Sequence, residues 1–313
     1  MDPIAKATEL LQAADDCHDD HPAAAAILLR QIDADALNPG QRPRYAFLVN
    51  HLLAEKLGQP AEAWQRQQAV LAACGNEAPL PVLRQAGAAA RMAGDMAAEA
   101  SIGQRLADAA GVSLAQAAEF LVLAAANFQV PLLGAEAAGS AALAALAPMH
   151  GPAWQQANGL DAAAAVMTNN LASDLAERPV AELAVEPLRQ ALAEAAELSQ
   201  GFWHRAGQWV NHERAHYLRA FTANALGDAE TAELQARAGL VLLANHDHDD
   251  QERVDQAFLR SELAHALARL GRAADAQVER TQADALIEAL DDAEITAWYR
   301  RRVARQQALD AGS

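Results

Sequence analysis

The sequence predicts an all-α fold, an α-solenoid of about seven helix hairpins ended by one further helix. Three observations carry this. Small residues recur on one ruler, Ala220, Gly227, Ala232 and Gly239, then Ala264, Gly271, Ala276 and Ala283, each set at steps of seven, five and seven and the two sets 44 positions apart. A fixed period of this size marks a supersecondary unit that buries its apolar face only by stacking on copies of itself. The 313 residues are 52% hydrophobic but only 4% aromatic, and rich in Ala, a balance that favours helix and leaves few residues suited to strands. Finally, apolar runs repeatedly stop at a Gly that is followed at once by polar or small residues, the pattern of one helix ending and another starting.

Taken in order, the hairpins span about 3–37, 40–75, 77–110, 112–148, 150–200, 203–246 and 249–290, all within a single domain, with a capping helix at 292–310. The second turns at Leu57-Gly58-Gln59-Pro60, where Gly suits the left-handed end of a helix and Pro the first turn of the next. The third turns at Ala93-Gly94-Asp95, where Asp accepts orphan amide hydrogens. The fourth starts on Ser113 with Gln116, the spacing of a capping box, and turns at Leu133-Gly134-Ala135. The fifth is longer and breaks near Arg178-Pro179. Leu226-Gly227-Asp228 and Leu270-Gly271-Arg272 turn the sixth and seventh. Asp249 with Glu252 starts the seventh, and Asp291 with Glu294 starts the last helix.

Charge narrows the function. A net charge of −17 opposes any general affinity for nucleic acid, which depends on Lys and Arg displacing counterions. No run of about 18 apolar residues suits a membrane span, since even 114–133 is broken by Gln116, Glu119, Asn127, Gln129 and Pro131. The first residues lack the basic and apolar regions of a secretory signal, and two cysteines, Cys17 and Cys74, are too few for a disulfide framework. A cytoplasmic location is expected. No Gly-rich phosphate loop appears, and no cofactor is expected.

The small-residue ruler resembles that of tetratricopeptide-repeat proteins. In that family the first helix carries a small residue seven before the turn Gly, and the second carries small residues five and twelve after it; both C-terminal repeats match. Gly87 and Gly94 match only the first pair, His51 stands where a small residue would precede Gly58, and the long spacing looks like the elongated repeats of regulatory members. The resemblance implies a right-handed solenoid, non-enzymatic, whose first helices line a concave groove that binds protein. Carried over by position, the groove residues are Arg214, Tyr217, Phe221 and Asn224 in the sixth hairpin, and Phe258, Ser261, His265 and Ala268 in the seventh. The third offers Pro81, Arg84, Ala88 and Arg91, and the second Tyr45, Leu48, Leu52 and Glu55. Arginine pairs carboxylates bidentately, so the expected partner is a protein or peptide segment, acidic or a C-terminal tail, with self-association also compatible. The same architecture suits a sensor that changes its pitch when a peptide binds. The bland reading of these residues is an ordinary solvated helix face.

A rival from another class is written at His212-Glu213-Arg214-Ala215-His216. It matches H-E-x-x-H, two potential zinc ligands one helical turn apart with a Glu as base. Against a hydrolase stand Arg214 inside the motif, the lack of a preceding strand and of an evident third ligand, and the motif's place in the best-matching repeat. Two turns, Cys17-His18-Asp19-Asp20-His21 and His246-Asp247-His248-Asp249-Asp250, are rich in imidazole and carboxylate, but helix capping explains both and no metal is expected. Trp203 and Trp209 lie in the densest mixture of aromatics and cations and are expected in the core. Trp298-Tyr299-Arg300-Arg301-Arg302, with Arg305, is expected to form the polar cap of the stack.

Overall fold

A computed structural model describes residues 2–246 and 250–311. Among them are fifteen α-helices and no strand. The helices divide into two compact units, Met1–Leu133 with Ala147–Leu160, and Gly134–Leu146 with Asp161–Ser313. No single helix among the described residues is long and apolar enough to cross a membrane.

The first unit holds α1 (Pro3–Cys17), α2 (Pro22–Arg30), α3 (Arg42–Val49), α4 (Pro60–Cys74), α5 (Leu80–Met92), α6 (Met96–Ala110) and α7 (Leu114–Gln129). Antiparallel neighbours pack in sequence, and α5 also packs against α7 and α3, so first helices meet first helices. The caps follow the sequence closely. Asp95 accepts from the Ala98 amide at 3.0 Å, and Ser113 with Gln116 closes a full capping box. A feature with no sequence signal lies between α3 and α4, where Asn50–Lys56 continues α3 as a π-helix. Asn50 there joins a buried polar chain, donating to the Gln85 carbonyl and side chain at 2.8 Å and accepting from Gln67 at 2.9 Å. The segment Ala147–Leu160 joins this unit through Trp154, 2% exposed, whose indole donates to Glu119 at 2.7 Å.

The second unit holds α8 (Ala135–Leu146), α9 (Asp161–Ala176), α10 (Glu186–Ala206), α11 (Trp209–Leu226), α12 (Ala229–Ala244), α13 (Asp250–Arg269), α14 (Ala273–Leu290) and α15 (Ala293–Ala311). Here α9 pairs with α10, α11 with α12 and α13 with α14, while the first helices α9, α11 and α13 touch one another in turn. The ruler residues do the expected work. A Cβ on Gly239 of α12 would stand 2.9 Å from the Leu259 methyls of α13, so a small residue sets how close these helices come. Gly227 and Gly271 end α11 and α13 at φ of +86° and +77°, the left-handed turn that favours Gly.

Three sequence expectations are corrected. The hairpin expected at 112–148 does not stay together, because α7 belongs to the first unit while α8 packs on α10 in the second. A Cβ on Gly139 of α8 would lie 2.3 Å from the Leu188 amide nitrogen, a backbone approach that draws α8 to α10. Gly134 is not a left-handed cap, since the helix before it ends in the 3-10 turn Val130–Leu132. The start of the last helix is one residue later than expected: Asp291 ends α14 in the left-handed region, and Asp292 caps α15 by accepting from the Glu294 and Ile295 amides at 2.9 and 3.0 Å. The expected capping pair Asp249 and Glu252 falls partly outside the described residues.

Candidate binding surface on the C-terminal repeats

The last helix does more than close the stack. It packs on α13 and α14, crosses α11 and reaches the C-terminal end of α9, so it lies along the face that the first helices share. Its contacts follow one helical stripe, at 298, 299, 302, 305, 306 and 310, as the period of 3.6 requires. Trp298 lies against Phe258 with ring centres 4.3 Å apart and their planes tilted by 37°. Tyr299 meets the same ring edge-on and donates to Asp284 at 2.8 Å. Burial and the Asp284 carboxylate push the Tyr299 hydroxyl up to about 12, so it remains a donor.

Further along, Arg302 places its guanidinium 3.6 Å from the centre of the Phe221 ring and donates to Glu177 at 3.1 Å. Arg305 donates to the Ala176 and Arg178 carbonyls, where the negative end of α9 welcomes a cation. Gln306 accepts from Ser261 and from Arg280, at 3.3 and 2.9 Å, and Asp310 accepts from His265 at 2.9 Å. Apolar support comes from Val254, Ala257, Phe258 and Ile287, with Ile295 and Val303 packed against them.

The groove positions of the sixth and seventh hairpins are therefore brought together, but their occupant is the chain's own helix. Phe221, Asn224 and His265 are 3%, 1% and 2% exposed. Asn224 donates to the Glu262 carbonyl and carboxylate at 3.0 and 2.7 Å. Tyr217 stacks on Phe221, and burial pushes its hydroxyl far above the usual value. Arg214 lies at the margin and pairs with Asp255 at 2.9 Å. Arg84 and Arg91 belong to the first unit. Arg84 is half-buried, and desolvation lowers its guanidinium pKa, while Arg91 pairs with Glu99 at 2.8 Å. The cations expected to hold an acidic ligand are thus engaged by the chain's own carboxylates or partly buried. Glu177, Glu262 and Arg280 were not legible as part of this surface, because their partners lie on other helices, 125 positions away for Glu177, 38 for Glu262 and 26 for Arg280.

The seat is imperfectly matched. Tyr217 Oη, Asn224 Oδ1, Glu262 Oε1, His265 Nδ1, Arg302 Nη1 and Gln306 Nε2 are buried there without a hydrogen-bond partner. A cavity of about 720 Å³ opens between α13, α14 and α15, lined among others by Arg280, Asp284 and Arg300. Each orphaned polar group costs roughly 1–3 kcal/mol of desolvation, so the contact is weaker than its area suggests.

The H-E-x-x-H run sits on α11 with its parts turned apart. The His212 ring bonds the Trp203 carbonyl at 3.1 Å and stacks on His204, while His216 bonds Gln235 at 2.7 Å. Glu213 is fully buried with neither oxygen partnered. Burial, aided by nearby Asp255 and Glu252 and only partly offset by Arg214, pushes its carboxyl up to about 9. A carboxyl that stays neutral on the apolar side of a helix is not placed to deprotonate a water. Among the described residues no third ligand joins these histidines. In the second His- and Asp-rich turn, His246 stacks on Trp209 at 4.3 Å, and 247–249 lie outside the described residues. Trp203 and Trp209 are each half-buried rather than core. The first such turn gathers a ligand from elsewhere: His18 and Asp19 are joined by His51.

A scan against known families matches no family model, and a search of curated proteins returns no match.

Proposed function

We propose that this chain is a non-enzymatic, cytoplasmic binding scaffold of tetratricopeptide-like hairpins whose first-helix face in the C-terminal repeats receives an amphipathic helix from a protein partner. The observation that supports this is α15 itself. It occupies the groove positions through one stripe bearing an aromatic pair and two arginines a turn apart, the helix-in-groove mode of recognition. A partner helix of the same character, aromatic and basic, replaces the acidic peptide as the ligand this reading favours, because Glu177 and the α9 carbonyls are what the surface offers a cation. The orphaned polar atoms and the cavity under α15 support an occupant that can be displaced. The reducing compartment fits two free cysteines.

The test uses the full chain and a labelled peptide of sequence 292–311. A helix that covers its own site lowers the apparent affinity by the fraction of time the site is open. Arg302→Ala with Arg305→Ala should loosen α15 and raise the affinity for the peptide by about tenfold over wild type in fluorescence anisotropy. Adding Phe221→Ala should remove that gain. Equal affinity in all three proteins would refute the reading.

A further inference from the structure

We propose that His18, Asp19 and His51 form a binding site for one divalent transition-metal ion of the zinc class. The three come from two hairpins: His18 and Asp19 from the turn after α1, and His51 from the π-helix that follows α3. Their ligand atoms all lie within 4.8 Å of one another. The Asp19 Oδ1 stands 3.5 Å from His18 Nε2 and 3.9 Å from His51 Nε2. Bonds of about 2.0–2.2 Å in a tetrahedron place donor atoms roughly 3.3–3.6 Å apart, so His18 and Asp19 already fit and Asp19 with His51 needs only a small closure. Asp19 is 79% exposed on a turn and free to make it.

Both imidazoles are held with the same nitrogen pointing inward. His18 Nδ1 lies 2.5 Å from the Asp15 carbonyl, and His51 Nδ1 lies 2.8 Å from Glu55 Oε2. A carbonyl and an ionised carboxylate can only accept, so each Nδ1 is the donor, and the neutral form of each ring, the form that binds a metal, presents its lone pair at Nε2. This is how metal-binding histidines are oriented, with the outer nitrogen donating to a carboxylate or carbonyl. His51 Nε2 is buried with no hydrogen-bond partner. Phe47 stacks on the His51 ring at 5.5 Å and the His18 ring meets it edge-on at 5.6 Å, which fixes its plane. The widened turn that brings His51 and Glu55 together is a π-helix, a form that recurs at functional sites.

Two imidazole nitrogens and one carboxylate oxygen, with a further position open to water, suit zinc and its first-row neighbours better than calcium or magnesium, which prefer oxygen throughout. Cys17 takes no part, because its Sγ turns back to the Ala14 carbonyl. His51 stands where the repeat pattern has a small residue, so the departure from the pattern and the site coincide.

The experiment is titration of untagged full-length protein with Zn²⁺ by calorimetry, and with Co²⁺ by visible absorption. The expected result is one equivalent of Zn²⁺ and a d–d band that reports nitrogen and oxygen ligation. Asp19→Asn with His18→Ala changes a surface turn and should abolish both signals while circular dichroism stays unchanged. Glu55→Gln should weaken binding by about 10–100-fold, as loss of an orienting partner does. His246→Ala should leave binding unaltered. The proposal is overturned if wild type takes up no stoichiometric metal, or if the Asp19 and His18 double variant binds as wild type does.

Discussion

Replacing Glu213 with Gln should stabilise this protein at neutral pH, by an amount that follows from where the carboxyl sits. Glu213 is fully buried, has no hydrogen-bond partner, and keeps its proton up to about pH 9, against 4.5 for an unperturbed Glu. In the unfolded chain the group ionises above its ordinary value; in the folded chain it stays neutral. The fold therefore keeps its full stability only below about pH 4.5 and loses some progressively up to about pH 9. At pH 7 the gap above 4.5, at about 1.4 kcal/mol per unit, gives a penalty on the order of 3 kcal/mol. Gln has the same shape and carries no such penalty. Urea denaturation of wild type and Glu213→Gln between pH 6 and 8.5, following the transition of the unit that contains α11, should show the variant ahead and the difference widening by about 1.4 kcal/mol per pH unit. Subtracting the two curves cancels the histidines and other carboxylates. A difference that stays flat across this range would mean Glu213 is already ionised in the folded state and would refute the reasoning.

Three further substitutions follow from the same geometry. Gly139→Ala forces a methyl onto the α10 backbone at Leu188 and should cost about 1–3 kcal/mol in thermal or denaturant unfolding. Arg205→Ala removes the guanidinium that grips Asp161 at 2.8 and 3.0 Å, where the carboxylate is 2% exposed, and should cost about 3 kcal/mol at neutral pH in denaturant unfolding. Asp292→Ala deletes the cap of α15 and should cost that helix about 1 kcal/mol, read as faster hydrogen exchange in 293–311 with little change in α9 to α12.

Much of the fold was written in local chemistry. Gly58, Gly94, Gly227 and Gly271 sit at positive φ where the sequence asks for a left-handed turn, and Ser113 with Gln116 makes the capping box that its spacing implies. Gly134 failed the same test because Val130-Pro131-Leu132 ends its helix in a 3-10 turn first, so the Gly has no left-handed position to fill. The division between units at α7 and α8 depends on Gly139 approaching α10 nearly fifty residues later, which no window of sequence contains. Phe221, Phe258, Ser261 and His265 came to one face only through the repeat resemblance. The packing of the last helix over these positions was not legible, and the pair Arg302 with Glu177 joins residues 125 positions apart. The π-helix at Asn50–Lys56 is equally silent, since it differs from an α-helix only in which carbonyl each amide finds. His51 was visible only as a misfit in the repeat, and the fold shows what the misfit meets.

The claim that the C-terminal helix is a displaceable occupant of the repeat face is tested most directly by a photo-crosslinker placed at Trp298, which is 42% exposed beside Phe258. The account predicts intramolecular crosslinks to the peptide spanning 250–269, with a yield that falls as unlabelled 292–311 peptide is added. Crosslinks that avoid α13, or a yield indifferent to the peptide, would contradict it.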